Sequence, residues 1–435
     1  MLLYISKLKQ KVIHSKFIQD SSWAIFGNGF GYALLLLAGI IIARLLGKDL
    51  YGEYGFIKTT MFQFAAFSTL GLGYTSTKFV AEYRAKDPTK IRGIIASSIN
   101  ITIIVSCIIA LALFIFAHPL SLVLNEPTLK RAFHSLGIII ILRSIYTTQT
   151  GIISGYGGFK HIALINAAFG FALIGLATPL TFLFSLHGSL AALALSQLIA
   201  VLISSFTIRK LKKTHSDSED KTYHTWRIIK FSIPVALQEL TFALGKWGGI
   251  LVITKLSTLG EVGLYTASEL WASVILFVPM LLSNVMLSHL SYDINAQTHA
   301  KRVKMMICVN VACTLFPFIL VYILSSWIVS MYGPTFTEMV PVMRTLIFTT
   351  IFVCSSNVLG SELIAQGHTW PLFAIRCTRD CFSLGIGYFF IHSHHGEHAA
   401  LYYAKGMLIC SFVFLVLLTI YYLFRIKNYQ EKEIQ

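Results

Sequence analysis

Eleven ionisable side chains fall inside the long apolar stretches of this chain, and their types and positions invite chemistry. They are Lys58, Arg143, Glu239, Lys246, Glu269, Arg344, Glu362, Arg376, Arg379, Asp380 and Lys405. Seven are cations and four are anions, an excess of three positive charges. A charge held within hydrocarbon is expensive, so such groups face a water-filled cavity or one another. A cationic excess suits a cavity that accepts an anion, and Lys and Arg are the usual partners of phosphate. The candidate anion-binding cations are Arg143, Lys246, Lys58, Arg379 and Arg376. Arg143 is too deep to reach an interface; Lys58 lies nearer a helix end, where snorkelling is an equal alternative. Arg376 and Asp380 are four residues apart and are expected to neutralise each other, leaving Arg379 as the better cation. Glu239 and Lys246, seven apart, share a helix face about 10 Å apart along the axis. Glu239 and Glu269, together with Asn28, are candidates for ion or proton coupling or for a polar cavity lining; an internal polar tie between helices is the alternative. Arg344, Glu362 and Lys405 fall near predicted helix ends and read as interfacial.

The elements that must position these groups follow from composition. The chain is 55% hydrophobic and 12% charged, against about 25% charged in soluble domains. That makes it an all-α polytopic membrane protein, because its apolar segments are continuous rather than alternating. About twelve spans are predicted: 22–46, 52–77, within 93–117, 132–157, two within 161–208, then 228–255, 262–289, 304–331, 338–366, 370–392 and 399–424. Residues 161–208 hold no Asp, Glu, Lys or Arg over 48 positions, enough for two helices of about 20 residues, with His187-Gly188 as the expected turn. Residues 1–20 are basic and weakly amphipathic and read as an interfacial helix on the cytoplasmic leaflet, and Asp20-Ser21-Ser22 reads as the N-cap of the first span.

The stretch Ile41–Ile57 reads as a hairpin whose turn is Gly47-Lys48-Asp49-Leu50-Tyr51-Gly52. A fainter copy lies 211 residues on, so that Gly52 matches Gly263, Tyr54 matches Tyr265, Arg44 matches Lys255 and Lys58 falls on Glu269. By the same offset Glu239 falls on Asn28. A membrane hairpin repeated half a chain apart points to two homologous six-helix bundles. The predicted halves are 1–208 and 227–435, joined by a charged, Ser-rich linker at 209–226. Lys58 and Glu269, matched in this way, could pair or compete for a cation. Placing the N-terminus in the cytoplasm puts 23 of 35 Lys and Arg in inside segments and 5 in outside loops, so both termini are expected inside. Gly245, Gly248 and Gly249 read equally as bend points or as sites of close helix packing.

Several chemistries find no support. There is no P-loop, GxSxG or HExxH pattern, and neither an enzymatic activity nor a cofactor is expected. The seven cysteines lack metal spacing and read as packing residues; the outer cluster His392, His394, His395 and His398 is not read as a metal site. The net charge of +16 is explained by membrane orientation rather than by nucleic acid.

Four runs in the first half carry a resemblance: Ala43-Arg44-Leu45-Leu46-Gly47, Tyr51-Gly52-Glu53-Tyr54, Leu70-Gly71-Leu72-Gly73 and Lys78-Phe79-Val80-Ala81-Glu82-Tyr83-Arg84. With Phe231-Ser232-Ile233-Pro234, Gly263-Leu264-Tyr265 and Ala365-Gln366-Gly367, they make the chain resemble the Wzx-type polysaccharide (O-antigen) flippases. That family lies in the superfamily that also holds the MATE exporters and the lipid II flippase MurJ. The resemblance implies a MATE-like fold of two pseudo-symmetric bundles around a central cavity open to one side at a time. It implies an undecaprenyl-diphosphate-linked oligosaccharide as the partner, moved from the cytoplasmic to the outer leaflet of the bacterial inner membrane. Association with other polysaccharide assembly proteins would follow. Two rivals stand. A MATE-like exporter of small cations would want acidic groups in the cavity, the reverse of what is present. A membrane-embedded polymerase or ligase of the same pathway would want a large outer loop.

Overall fold

The computed structural model describes residues 27–124, 126–127, 129–215, 225–290, 296–365 and 369–434. The expected interfacial helix at 1–20, the cap Asp20-Ser21-Ser22 and half of the linker, 216–224, lie outside the described residues. Among them the chain forms eleven α-helices: α1 Asn28–Thr69, α2 Leu72–Lys86, α3 Ile91–Val123, α4 Leu129–Gly155, α5 Phe159–His215, α6 Thr225–Leu256, α7 Leu259–Leu290, α8 Ala296–Tyr332, α9 Met339–Ala365, α10 Thr369–Ser393 and α11 Ala399–Ile434.

Eight of these regions are long and apolar enough to cross a membrane. Two of them, Gly29–Thr69 and Phe159–Lys212, run to 41 and 54 residues. That is twice the ~20 residues a 30 Å hydrocarbon core requires, and each helix is broken once inside. The helices α6 and α10 have spanning length but carry charges within their apolar runs. Counting these two, and two crossings in each broken helix, gives the expected twelve.

The breaks differ in detail from the sequence reading. In α1 the helix is interrupted at Gly47 alone, with φ 72° and ψ 173°; Lys48 onward is already helical, so the expected six-residue turn shrinks to one. That backbone region is open essentially to glycine only. In α5 the break sits at Ser185, with φ 52° and ψ −130°, two residues before the expected His187-Gly188. The chain reverses there: a side chain at Gly188 would run into the carbonyl of Leu180. The predicted span 52–77 stops at Thr69, where Leu70 and Gly71 are both left-handed, and resumes as α2.

The described chain divides into two compact units, residues 1–45 with 57–244 and residues 46–56 with 245–435. In the first, α3 and α5 flank α4 and α2 packs on α4. Apolar matching alone does not hold helices together in lipid; close approach and hydroxyl bonds do. Gly151 of α4 lies against the backbone of Gly73 in α2, and Thr77 Oγ1 donates to the carbonyls of both Gly73 and Gly151 at 2.9 Å. Thr102 and Thr148 bond each other at 2.8 Å between α3 and α4. Arg84 donates to the Tyr156 carbonyl at the end of α4. The first turns of α6 join this unit through Ser232, whose hydroxyl donates to Thr75 at 2.8 Å, and through Phe231, beneath the Lys78 ammonium at 3.9 Å.

In the second unit α9 lies among α7, α8 and α11. An aromatic cluster lies just before its start: Trp271 Nε1 donates to the Tyr332 hydroxyl at 2.9 Å, and Phe336 meets Tyr332 and Tyr51 with ring centroids 5.4 and 5.8 Å apart. Residues 46–56 of α1 cross α7 in this unit. A side chain on Gly52 would collide with the Leu259 carbonyl, and one on Gly263 with the Lys48 carbonyl. Because Leu259 is 211 residues beyond Lys48, as Gly263 is beyond Gly52, the crossing is two-fold symmetric in its own contacts. Gly55 against Thr266 and Gly260 against Asp49 continue the pattern. The faint sequence repeat is thus a physical contact between its own copies.

Gly245, Gly248 and Gly249 are packing positions. They seat the Asp380 carboxylate, Leu384 and the Tyr403 hydroxyl respectively, which brings α6 onto α10 and α11.

Candidate functional site

Arg143 lies near the middle of α4, 14 residues from its start at Leu129; at 1.5 Å per residue that is about 20 Å along the axis, well inside hydrocarbon depth. Its guanidinium sits over the Phe62 ring at 4.5 Å and 5.5 Å from the ring of Tyr146. Tyr146 is one helical turn on from Arg143, and its hydroxyl donates to Asn166 Oδ1 of α5. Among the described residues no carboxylate pairs with Arg143. A cation inside a bundle held only by ring faces keeps most of its five N–H donors available. It is thereby equipped to bind an oxyanion. Lys58, half-buried on α1, belongs to the same unit.

The second unit treats its cations differently. Lys246 Nζ on α6 meets Glu269 Oε1 on α7 at 2.8 Å, with side-chain exposures of 44% and 27%. Glu269 therefore finds its cation within its own unit, where the repeat had matched it with Lys58. On α10, Arg379 Nη2 lies 2.7 Å and Nε 2.8 Å from the single oxygen Asp380 Oδ1, and the guanidinium stacks on Phe414 at 4.8 Å. This corrects the expected Arg376–Asp380 pair. Arg379 is the neutralised residue, and Arg376 points at α9, where a Cβ on Gly360 would be 3.0 Å from its Nη2. A missing side chain on α9 gives Arg376 room to leave its own helix face, and Asp380 turns instead to its chain neighbour. The side chains of Glu239 and Asn28 lie outside the described residues.

Glu269 and Asp380 also stand within electrostatic reach of buried Tyr403, and Glu269 of buried Tyr265. The two rings meet edge to face at 5.4 Å. The residues gathered here come from α6, α7, α10 and α11, so their meeting depends on packing rather than on spacing in the chain.

Of the three residues read as interfacial, one is buried instead. Glu362 is completely buried, within electrostatic reach of Tyr422. Arg344 bonds Ser325 Oγ at 2.8 Å and stacks on Tyr322. Lys405 lies over Tyr402 at 4.9 Å. Glu261, which sequence reasoning passed over, is the clearest structural tie. Its Oε2 accepts the Ala400 N–H at 2.7 Å, and its own N–H reaches Thr258 Oγ1 at 3.4 Å. The signal was available: Thr258-x-x-Glu261 has the capping-box spacing, although the carboxylate here serves the first turn of α11 instead of returning to its own cap. Of the outer histidines, His394 stacks on Tyr402 at 3.7 Å and His392 on Tyr388 at 5.8 Å; among the described residues no trio of His, Cys, Asp and Glu is disposed to hold a metal.

Comparison with known proteins fits this geometry. Residues 17–287 match the polysaccharide biosynthesis protein family, and the chain belongs to that family. It is 23% identical over 265 residues to an uncharacterized membrane protein of Methanocaldococcus jannaschii, covering 58% of this chain and 62% of that one. The fold is shared with a multidrug resistance MATE transporter of the MOP superfamily in an inward-facing conformation, with TM-score 0.79, 14% identity, and coverage of 93% of this chain and 96% of that one. It is also shared with the lipid II flippase MurJ in an inward closed conformation, with TM-score 0.70, 16% identity, and coverage of 91% and 86%. The chain is thus a multi-pass membrane protein with the fold of the MOP superfamily.

Proposed function

We propose that this member of the polysaccharide biosynthesis protein family is a flippase. Its substrate is an oligosaccharide joined by diphosphate to undecaprenol, carried from the cytoplasmic to the outer leaflet of the bacterial plasma membrane, with both termini of the chain in the cytoplasm. The reading rests on Arg143, a mid-membrane guanidinium held by Phe62 and Tyr146 and paired with no carboxylate among the described residues. The desolvation cost of such a cation is offset when a diphosphate oxygen takes its donors. A headgroup of sugar and diphosphate cannot cross about 30 Å of hydrocarbon unaided, because its charges and hydroxyls would lose their water. Fixed cations and hydroxyls replace that water along the path, while the polyprenyl tail stays in the bilayer. Alternating access then exposes the headgroup to each side in turn, with the halves 1–208 and 227–435 as the moving lobes joined by 209–226. The chemistry is transport, with no bond made or broken.

The test is reconstitution in liposomes that carry an undecaprenyl-diphosphate oligosaccharide, scoring sugar accessibility from outside. Translocation above empty liposomes supports the reading. Its absence, together with efflux of a small organic cation from the same vesicles, would replace the reading with that of an exporter.

A further inference from the structure

The second unit holds two ion pairs in adjoining positions. Lys246–Glu269 joins α6 to α7 at 2.8 Å, and Arg379–Asp380 on α10 sets its carboxylate against Gly245, where a Cβ would lie 3.1 Å from Asp380 Cγ. The absent side chain at Gly245 is what lets the second pair lie beside the first. Lys246 is ten residues from the end of α6 and Glu269 ten from the start of α7, so both sit about 15 Å in from those helix ends. None of the four side chains is sealed: they are 44%, 27%, 25% and 19% exposed. Partly open charges that far inside spanning helices require water or a polar ligand beside them.

We propose that Lys246 and Arg379 form a second oxyanion site, masked by Glu269 and Asp380 until a diphosphate displaces the carboxylates. The inference rests on the flippase reading for its ligand. Diphosphate offers the two cations more negative charge and more acceptor oxygens than the carboxylates do. The displaced groups are not abandoned. Glu269 has Tyr265 and Tyr403 beside it, and Asp380 has Tyr403 and, on its own helix, Arg376 and Cys377. Buried phenol hydroxyls can donate to a released carboxylate. Arg143 serves as the standing anion site and the masked pair as one that opens on demand.

Purified full-length protein in nanodiscs, titrated with inorganic diphosphate, tests this. Glu269→Gln and Asp380→Asn remove the competing charge, so each variant should bind diphosphate about three- to fivefold tighter than wild type, the scale of a partly exposed ion pair. Lys246→Gln combined with Glu269→Gln should abolish the gain. Binding seen only in the carboxamide variants overturns the masked site, because diphosphate then fails to displace the carboxylates of the native pairs. Unchanged or weaker binding in both, with thermal stability matching wild type, overturns it. A site that serves only as a helix tie would lower the melting temperature of Glu269→Gln and leave affinity unmoved, which also overturns it. Diphosphate binding that is lost in Arg143→Ala but indifferent to Glu269 and Asp380 would reject the masked site and keep the flippase reading. No binding in any form rejects both.

Discussion

Where α1 crosses α7, residues 211 apart do the same work: Gly52 admits the Leu259 carbonyl and Gly263 admits that of Lys48. Deeper in the membrane the two units part company. Arg143 in the first is held by aromatic faces with no carboxylate among the described residues, whereas Lys246 and Arg379 in the second are each bound to one. Backbone contact tolerates no change, because nothing larger than hydrogen fits, so a symmetric crossing persists as long as the fold does. Side chains that face open space carry no such constraint and can diverge into different roles. The difference teaches that the duplicated architecture supplies position, and that the asymmetry of charge supplies the chemistry.

That comparison can be broken at several points. The largest effect belongs to Arg143. Arg143→Ala should reduce translocation by about 10- to 100-fold, the worth of hydrogen bonds to a charged ligand, with normal abundance in the membrane. Arg143→Lys should recover only part, since an ammonium neither stacks nor forks. Surface glycan or vesicle transport reads the result. Next comes the crossing. Gly52→Val and Gly263→Val should each cost about 3 kcal/mol or more by forcing backbone apart. Because the contact is symmetric, the two losses, read by thermal melting in detergent, should agree within about 1 kcal/mol; a loss confined to one would break the symmetry argument. Glu261→Gln keeps the shape and removes a charge-assisted bond to the start of α11, and should lower stability by about 1–2 kcal/mol. The smallest effect is expected at Lys48→Met. Its 3.1 Å pair with Glu338 is exposed at both ends, 34% and 45%, and should be worth under about 1 kcal/mol.

Much of the architecture was legible from the chain. Long uncharged runs such as 161–208 can only be spans, so the class and the number of crossings follow from length against bilayer thickness. Turn positions are less legible, because glycines and charges mark short stretches such as 47–52 rather than single residues. The chain breaks instead at single residues, Gly47 and Ser185, whose backbone angles depend on what packs around them. The charged candidates were visible one by one, since an Arg or Glu inside an apolar run stands out. Their partners were not. Helix spacing favoured Arg376 for Asp380, yet Gly360 on α9 gives Arg376 room and Arg379 takes the carboxylate. Lys246 and Glu269 meet because α6 and α7 set a register that no local pattern records. Tyr146 and Phe62, which hold Arg143, are ordinary apolar-helix residues until a guanidinium is placed over them.

The central claim, that the Arg143 guanidinium in the first unit carries the anion, is tested most directly in reconstituted vesicles loaded with an undecaprenyl-diphosphate oligosaccharide. Wild-type, Arg143→Ala and Lys246→Gln proteins are compared at equal incorporation. The account predicts translocation by wild type, near-complete loss in Arg143→Ala, and a smaller loss in Lys246→Gln. Full transport by correctly folded Arg143→Ala would contradict it.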